Sequence, residues 1–304
     1  MTKHTPVLLQ EVIDNLKVRP GETLLDGTLG GGGHCEALAR SVGGDLNIVG
    51  LDRDGKALER SRERLELTGA RVFLFQESFR NLDKILSLVK EPIPSLTGFD
   101  AILLDLGISS DQLDSPAGGP GKGFSFQTDE PLDMRMSEEG ITAADILNTF
   151  SEEALELIIR GFGEERYSVR IAKEIVERRE KKPLKTTFEL RDAILAAVPG
   201  FYQRGRLNPA TRTFQAIRIA VNEELTALEE GLEKGFRALS VGGRLAVISF
   251  HSLEDRIVKN FFRELARQDL VSLVTKKPIV PSEEEKLRNP RSRSAKLRII
   301  RKNS

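Results

Sequence analysis

Residues 26–34 read Asp-Gly-Thr-Leu-Gly-Gly-Gly-Gly-His, a glycine-rich stretch that directly follows the apolar run at residues 23–25. Glycines at the turn from a strand to a helix let the backbone come close to a ligand, and the first turn of the helix offers unpaired N–H donors. The dinucleotide fingerprint Gly-x-Gly-x-x-Gly does not fit, because Cys35 stands where a third glycine would follow Gly30 and Gly32. The stretch therefore predicts a ligand-binding turn of another kind.

Short apolar runs alternate with helical patterns around this turn. The strand-like runs before residue 106 are residues 23–26, 47–52, 71–75 and 100–105. Their length and composition are typical of strands buried on both faces of a parallel sheet. Alternating strands and helices predict an α/β fold with a doubly wound sheet.

The alternation stops after the fourth strand and resumes late in the chain. Residues 109–122 read as an exposed loop rich in Gly, Pro, Ser and Asp, and residues 142–201 show only helical patterns. A helix predicted at residues 213–239 and a strand at residues 244–250 then restore the sheet pattern. The sequence therefore predicts an all-helical insertion within an α/β domain.

The length and composition of the chain are compatible with two domains. A chain of 304 residues, 39% apolar and 30% charged, is long enough for one large buried core or two smaller ones. We predict a discontinuous α/β domain of residues 1–112 and 213–304, and an inserted helical domain of residues 113–212. The sequence has no signal-peptide pattern, no apolar run of about 18 residues and a single cysteine, so we expect a cytoplasmic protein without membrane contact.

The charge is balanced overall but not along the chain. The 46 basic residues equal the 46 acidic ones, whereas residues 286–304 hold eight Lys or Arg and no acid. Such a run is often a solvated tail, and it becomes a nucleic-acid contact when another feature indicates a polyanionic partner. Both interpretations stay open for the run itself.

Carboxylates end the second and fourth predicted strands. Asp52 lies at the carboxyl edge of the sheet, where open α/β folds bind ligands. Its carboxylate suits the two hydroxyls of a nucleoside ribose; alternatively, Asp52 and Asp54 only begin a polar loop. Asp105 ends the fourth strand. Phe79 follows the third strand, where its ring either stacks on an adenine or packs in the core.

Motifs along the chain resemble those of known methyltransferases. The glycine stretch is similar to Asp-x-x-x-Gly-x-Gly, the pattern with which class I methyltransferases hold the methionine part of S-adenosylmethionine. The chain as a whole resembles the MraW family, the ribosomal RNA small subunit methyltransferase H proteins. The segments that carry this resemblance are residues 3–9, 26–28, 32–34, 105–110, 123–126, 131–136, 163–166, 208–215, 249–256 and 289–294.

The resemblance implies a class I S-adenosylmethionine-dependent fold whose inserted helical domain recognises the substrate. It implies an enzyme, an rRNA (cytosine-N4-)-methyltransferase, that acts on a cytidine in the decoding region of 16S ribosomal RNA within the small ribosomal subunit. The cofactor contacts that it implies are Gly32, Gly33, His34, Asp52, Phe79, Asp105 and Gln112. One departure is the loop at residues 115–122, which is longer and richer in Gly and Pro than the family leads us to expect.

Methyl transfer from S-adenosylmethionine to an exocyclic amine needs no metal, because the sulfonium is already activated. The protein has to align a weak nucleophile with the donor. Asp105, or the backbone carbonyl beside it, is the candidate catalytic acceptor for the target N–H; the competing role of Asp105 is to bind the amino group of the cofactor. Methylation at ring carbon 5 would require a cysteine nucleophile, and we predict that Cys35 is a buried helix residue instead.

Further polar residues lie in the motif segments. His251, a second candidate catalytic residue, and Ser252 follow the fifth predicted strand, where they either contact the base or cap the next helix. The candidate substrate contacts are Ser109, Arg135, Arg212, Ser252, Arg291 and Arg293, since Arg suits phosphate. The three histidines, His4, His34 and His251, lack a ligand spacing, so no metal site is predicted. Phe124 and Phe126 are predicted core residues.

Two other functions remain open at this level. An amino methyltransferase for DNA or protein would keep the same cofactor site, although the Asn/Asp-Pro-Pro-aromatic signature of the DNA enzymes is absent after the fourth strand. A non-catalytic RNA-binding or assembly factor would also retain a nucleoside pocket. The sequence does not separate a monomer from a homodimer.

Overall fold

The computed structural model describes residues 6–94, 96–107 and 121–303, and every structural statement below concerns these residues. The chain divides into two compact units. We call Met1–Gly107 together with Leu225–Ser304 the α/β unit, and Ile108–Glu224 the helical unit. No helix in the described ranges is both long and apolar enough to cross a lipid bilayer.

The first part of the α/β unit alternates helices and strands. Its elements are α1 (Leu9–Leu16), β1 (Thr23–Asp26), α2 (Gly33–Ser41), β2 (Asn47–Asp52), α3 (Gly55–Glu66), β3 (Arg71–Gln76), α4 (Leu82–Val89) and β4 (Phe99–Asp105). A 3₁₀ turn, Phe79–Asn81, precedes α4. The four strands predicted before residue 106 are present, and their ends lie within about one residue of the predicted ones.

The described part of the helical unit is built from helices. They are α5 (Ala143–Thr149), α6 (Glu152–Gly163), α7 (Ser168–Lys181), α8 (Thr187–Ala197), α9 (Gly200–Gln203) and α10 (Ala210–Asn222). The Ser151 hydroxyl caps α6 by accepting the N–H of Ala154 at 3.2 Å. Phe124 is buried, and Phe126 packs edge-on against Phe214 with 5.5 Å between the ring centres. Their predicted place in a core is confirmed.

After the helical unit, the chain re-enters the α/β unit. The helices and strands of this second part are α11 (Glu224–Ala238), β5 (Leu239–Ser249), α12 (Ser252–Arg267), β6 (Val271–Leu273), α13 (Glu283–Arg288) and β7 (Lys296–Lys302). A second 3₁₀ turn, Pro290–Ser294, lies between α13 and β7.

The helix predicted over residues 213–239 is in fact two helices, so that prediction was wrong. Glu223 has a φ of 50°, a left-handed conformation that ends α10. Because α10 packs against α6, residues before Glu223 belong to the helical unit. The second boundary between the units therefore lies at Glu224 rather than at Arg212, whereas the predicted first boundary at residue 112 lies outside the described residues.

One seven-stranded sheet runs through the α/β unit in the order β3-β2-β1-β4-β5-β7-β6. The strands from β3 to β5 are parallel, whereas β7 runs antiparallel between β5 and β6. In the sheet, β2 lies on one side of β1 and β4 lies on the other, so the direction in which strands are added reverses at β1. In open α/β sheets this change of direction creates a crevice at the carboxyl ends of the strands, where ligands bind.

Both faces of the sheet are covered, which explains why the central residues of β1, β2 and β4 are apolar. Successive strand residues point to opposite faces. Leu24 and Ile48 join the core on one face, whereas Leu25 and Val49 join the core on the other.

Candidate active site

Three carboxylates stand at the carboxyl ends of neighbouring parallel strands. Asp26 ends β1, Asp52 ends β2 and Asp105 ends β4. Since β2, β1 and β4 are consecutive and parallel in the sheet, their ends lie at one edge. The structure therefore brings the predicted pair, Asp52 and Asp105, to the same edge of one unit.

The glycine-rich turn connects β1 to α2 at this edge. Gly30 and Gly32 have φ values of +50° and +71°, a left-handed region that glycine adopts without steric cost. A Cβ on Gly33 would lie 2.5 Å from Cγ of Pro6, closer than real atoms approach. The turn consequently offers backbone rather than side chains to a ligand.

Asp52 holds this turn in place. Its Oδ2 accepts the Gly30 N–H at 2.8 Å, and its Oδ1 accepts the Asp54 N–H at 2.9 Å. Burial raises the pKa of the Asp52 carboxyl, and these hydrogen bonds oppose the rise. Each oxygen keeps capacity for a further donor, so Asp52 can accept two hydroxyls while it holds the turn. Asp54 has a separate role, since its side chain accepts the Lys56 N–H at 2.9 Å and caps α3.

One carboxyl oxygen of Asp105 has no partner. Its Oδ1 is buried and makes no hydrogen bond within the described ranges, whereas Oδ2 lies 3.7 Å from Nδ1 of His34. Burial raises the pKa of Asp105 well above its ordinary value, and the charges of Asp26 and Glu254 raise it further. A buried oxygen without a donor is costly, so this atom marks a position suited to a donor group of a ligand.

The His34 ring is oriented by the segment that precedes α1. Its Nε2 lies 2.9 Å from the carbonyl oxygen of Val7, which can only accept, so Nε2 carries a proton. Nδ1 then faces Asp105 as an acceptor in the neutral ring. Close contact between the two side chains therefore requires a further proton on one of them.

Asp26 lies buried beneath the turn, and sequence reasoning did not select it as a site residue. It accepts the Thr28 N–H at 3.0 Å and the Cys35 S–H at 3.2 Å. Burial raises the pKa of Asp26 to about 6 and also raises the pKa of the Cys35 thiol. Cys35 is fully buried in α2, so its predicted position is confirmed. The rule of strand-end acids that selected Asp52 would also have found Asp26.

Phe79 begins the 3₁₀ turn after β3 and is partly buried. A Cβ on Gly27 would lie 2.9 Å from the Phe79 Cβ, and the ring packs against Gly231 of α11. It also contacts the apolar core on that face of the sheet. Part of the Phe79 side chain is therefore buried in the core, and the rest is accessible to a ligand.

His251 caps α12 at the end of β5. Its Nδ1 accepts the Glu254 N–H at 3.4 Å, while the Glu254 carboxylate accepts the Phe250 N–H at 2.8 Å. The other ring nitrogen, Nε2, lies 3.2 Å from Oε1 of Glu254. Of the two roles that the sequence left open, capping is the one that this geometry displays. Ser252 is the first residue of α12.

In the helical unit, the two arginines that were predicted to contact the substrate form hydrogen bonds within the unit itself. Arg135 binds both carboxylate oxygens of Asp133, at 2.7 and 3.0 Å, and this pairing lowers the pKa of Asp133 against the effect of burial. Arg212 donates to the carbonyl oxygen of Glu164 at 3.1 Å.

The remaining predicted contacts lie elsewhere. Arg291 and Arg293 are exposed in the 3₁₀ turn Pro290–Ser294 of the α/β unit. Ser109 and Gln112 lie outside the described residues.

Comparison with known proteins identifies the family. A family described as the MraW methylase family matches residues 1–303. The chain belongs to the MraW methylase family. This is the family that the motifs resembled, so that prediction is confirmed. Together with the seven-stranded sheet, membership in it confirms the predicted class I methyltransferase fold.

Relatives of this MraW family chain match it over nearly all of its length. The ribosomal RNA small subunit methyltransferase H of Carboxydothermus hydrogenoformans is 46% identical, and the match covers 98% of this chain and 97% of that protein. The protein of the same name from Geotalea daltonii is 48% identical over 99% and 98% of the two chains. Among solved structures, an rRNA methylase from Streptococcus thermophilus covers 99% of this chain and 100% of its own, with 13% identity and a TM-score of 0.45.

Proposed function

We propose that the chain is an S-adenosylmethionine-dependent rRNA (cytosine-N4-)-methyltransferase that modifies a cytidine in the decoding region of 16S ribosomal RNA. The observation that carries this proposal is the buried Oδ1 of Asp105, which has no hydrogen-bond partner among the described residues, at the sheet edge that also holds the glycine turn and Asp52. In a member of the MraW methylase family, this arrangement supports a methyl-donor pocket beside an acceptor for an amine. The names of the relatives support ribosomal RNA as the substrate.

The residues at the sheet edge fit S-adenosylmethionine. The turn at Gly30 to Gly33 leaves backbone accessible, and Asp52 can accept both ribose hydroxyls without releasing the turn. Phe79 offers its accessible part to the adenine, and Gln112 is a further contact that the family resemblance implies. When bound, the cofactor supplies a methyl group that is electrophilic without a metal.

Asp105 has two candidate roles. Its Oδ1 has no hydrogen-bond partner in the described ranges, and its Oδ2 lies 3.7 Å from His34 Nδ1, too far for a hydrogen bond, so the carboxyl has capacity for a donor group of a ligand. If that donor is the target amine, the carboxyl turns the nitrogen lone pair towards the methyl group, and loss of Asp105 lowers kcat. If the donor is the amino group of the cofactor, loss of Asp105 weakens cofactor binding instead.

The state of Cys35 supports an exocyclic amine rather than a ring carbon as the methyl acceptor. Methylation at carbon 5 normally needs a thiolate that adds to the ring. The Cys35 thiol is fully buried, donates to Asp26 and has a raised pKa, all of which oppose thiolate formation. An amine acceptor requires no such nucleophile.

We propose that the helical unit helps to recognise the RNA around the target. Its Arg135 and Arg212 already bind partners within the unit, so they would offer only their remaining N–H groups to phosphates. Ser109 and Ser252 are the proposed contacts near the base. An enzyme that modifies ribosomal RNA works where ribosomes are made, so we propose a cytoplasmic location.

The test of this function is nucleoside mass spectrometry of ribosomal RNA from a strain that lacks the protein. We expect N4-methylated cytidine to be missing from the decoding region and to return when the small subunit is treated with enzyme and labelled donor. Restoration by the wild-type chain but not by an Asp105→Ala chain would link the modification to this site. If the purified protein binds the RNA and transfers no label, it is an assembly factor rather than a methyltransferase.

Replacing Asp52 by alanine is expected to weaken cofactor binding about 10²- to 10⁴-fold. The substitution removes the proposed charged acceptor of the ribose hydroxyls, and hydrogen bonds to charged groups contribute about 1.5–3 kcal/mol each. Calorimetry with S-adenosylmethionine measures the Kd directly. Asp54→Ala is the matched control: it removes a neighbouring carboxylate and a helix cap but leaves Asp52 in place. Equal affinities of wild type and Asp52→Ala would refute the ribose role.

A further inference from the structure

A cleft of about 350 Å³ lies in the α/β unit beyond the end of β5. It is lined by Phe250, His251, Ser252, Val280, Lys286, Arg293, Ser294, Ala295 and Lys296. These residues are residues 250–252 at the start of α12, Val280 before α13, Lys286 in α13, and residues 293–296, which run from the 3₁₀ turn into β7. Four separate stretches of the chain therefore converge on one concave surface.

The cleft is positively charged. Three of its lining side chains are cations, Lys286, Arg293 and Lys296, and no lining side chain is acidic. Cations gathered in a concave surface reinforce one another's potential and attract anions more strongly than the same charges on a flat surface. The charge pattern thus indicates an anionic ligand.

The three cations are only partly engaged by acids of the chain. Lys286 pairs with Glu283 at 2.7 Å, but the Glu283 side chain is 88% exposed, and such surface pairs are weak. Lys296 shares Asp255, at 3.2 Å, with Arg298. Arg293 is exposed and has no ion pair with any carboxylate in the described part of the chain. Positive charge therefore remains available to a ligand.

The start of α12 is not what would hold the anion. The Glu254 carboxylate already accepts the N–H groups of Phe250 and His251 there, at 2.8 and 3.2 Å. It places a negative charge at the positive end of the helix. The attraction must therefore come from the lysine and arginine side chains on the opposite wall of the cleft.

The cleft shares a wall with the end of β4. Asp105 pairs with Ile248 of β5, and the Leu106 N–H donates to the Ile248 carbonyl oxygen at 2.9 Å. Two residues later Phe250 lines the cleft, and its ring lies 3.2 Å from where a Cβ of Gly107 would be. The anion site is thus next to the strand end at which the target amine is proposed to bind.

From these observations we infer that the cleft binds a backbone phosphate of the RNA strand beside the methylated nucleotide. This inference rests on the proposed function. A base reaches such a site only when it is unstacked from its neighbours, and its backbone must then be held in place. Lys286 and Arg293 supply the charge, and the guanidinium of Arg293 matches the geometry of a phosphate. Lys286 and Lys296 belong to the basic run at residues 286–304, although the sequence did not single them out as substrate contacts.

The experiment compares two double variants of the full chain. Lys286→Gln with Arg293→Gln removes two charges from the cleft, and Lys276→Gln with Lys277→Gln removes two exposed charges that do not line it. Binding of a labelled 16S RNA fragment with the decoding region is measured over a range of KCl concentrations. A single-strand phosphate contact contributes about 0.7 to the slope of log K against log salt, so the cleft variant, which loses one such contact, should lose roughly 0.7 from that slope. Its KM for RNA should rise about tenfold, and the control should keep the wild-type slope.

The outcomes separate the inference from the function on which it rests. Methylation by the wild type with an unchanged slope in the cleft variant would overturn the phosphate site and leave the function intact. Equal losses in both double variants would also overturn it, because charge in general would then explain binding. A reduced slope confined to the cleft variant supports the inference even if no methyl group is transferred.

Discussion

Replacing Asp105 by alanine is expected to lower the rate of methyl transfer about 10²- to 10³-fold, the range observed when one preorganised polar group is removed from an active site. The reason is that Oδ1 is the one buried carboxyl oxygen at the end of β4 without a partner in the described ranges. Single-turnover kinetics with saturating cofactor measure the chemical step. Calorimetry with S-adenosylmethionine measures the cofactor affinity separately.

The two measurements decide between the roles of Asp105. A lower rate with an unchanged Kd assigns the Asp105 carboxyl to the target amine, whereas a raised Kd assigns it to the amino group of the cofactor. Asp100→Asn is the matched control, because Asp100 lies near the other end of β4, where it accepts the Thr23 N–H at 2.8 Å. Near-wild-type values of both quantities in Asp105→Ala would remove the main support for the proposed site.

Replacing Asp26 by asparagine is expected to stabilise the protein above pH 6. The pKa of the Asp26 carboxyl is raised by burial to about 6 in the folded chain, against about 3.9 when unfolded. Between these values the unfolded chain has released a proton that the folded chain keeps, so stability present at pH 4 is lost as the pH rises. The loss amounts to roughly 3 kcal/mol at pH 8. An asparagine stays neutral and can still accept the Thr28 N–H.

Urea denaturation of both proteins between pH 4 and pH 8 tests this expectation. The difference in free energy of unfolding between Asp26→Asn and wild type should grow with pH, whereas Asp45→Asn, at an exposed position, should show no such trend. Because the Asp26 charge also raises the pKa of Asp105, the pH profile of kcat/KM should move to lower pH in Asp26→Asn. A constant difference in stability across the range would mean that Asp26 is ionised at little cost.

The parallel part of the sheet could be predicted because a strand that is buried on both faces has an almost continuous apolar sequence. All four residues of β1 are buried, as are residues 48–51 of β2 and residues 101–104 of β4, which carry no polar side chain. The same regularity located Asp52 and Asp105, since an acid that ends a buried strand must face the open edge of the sheet.

Features that depend on distant contacts escaped prediction. Glu223 breaks the helix over residues 213–239, but glutamate is a good helix former and gives no sign of the left-handed conformation that a glycine would suggest. The orientation of His34 depends on a carbonyl 27 residues earlier in the chain. The cleft combines Phe250, at the end of β5, with Lys286 and Arg293 in the segment before β7, and these two regions share no motif.

The placement of the helical unit between β4 and β5 has a consequence for biogenesis. These strands are hydrogen-bonded neighbours, yet the ribosome must translate all of Ile108–Glu224 between them. The apolar core of the helical unit is formed only by residues of that unit. The unit can therefore fold on the nascent chain before β5, the strand that pairs with β4, has been synthesised. During that interval an apolar strand edge is exposed, which is the kind of surface that aggregates and that chaperones shield.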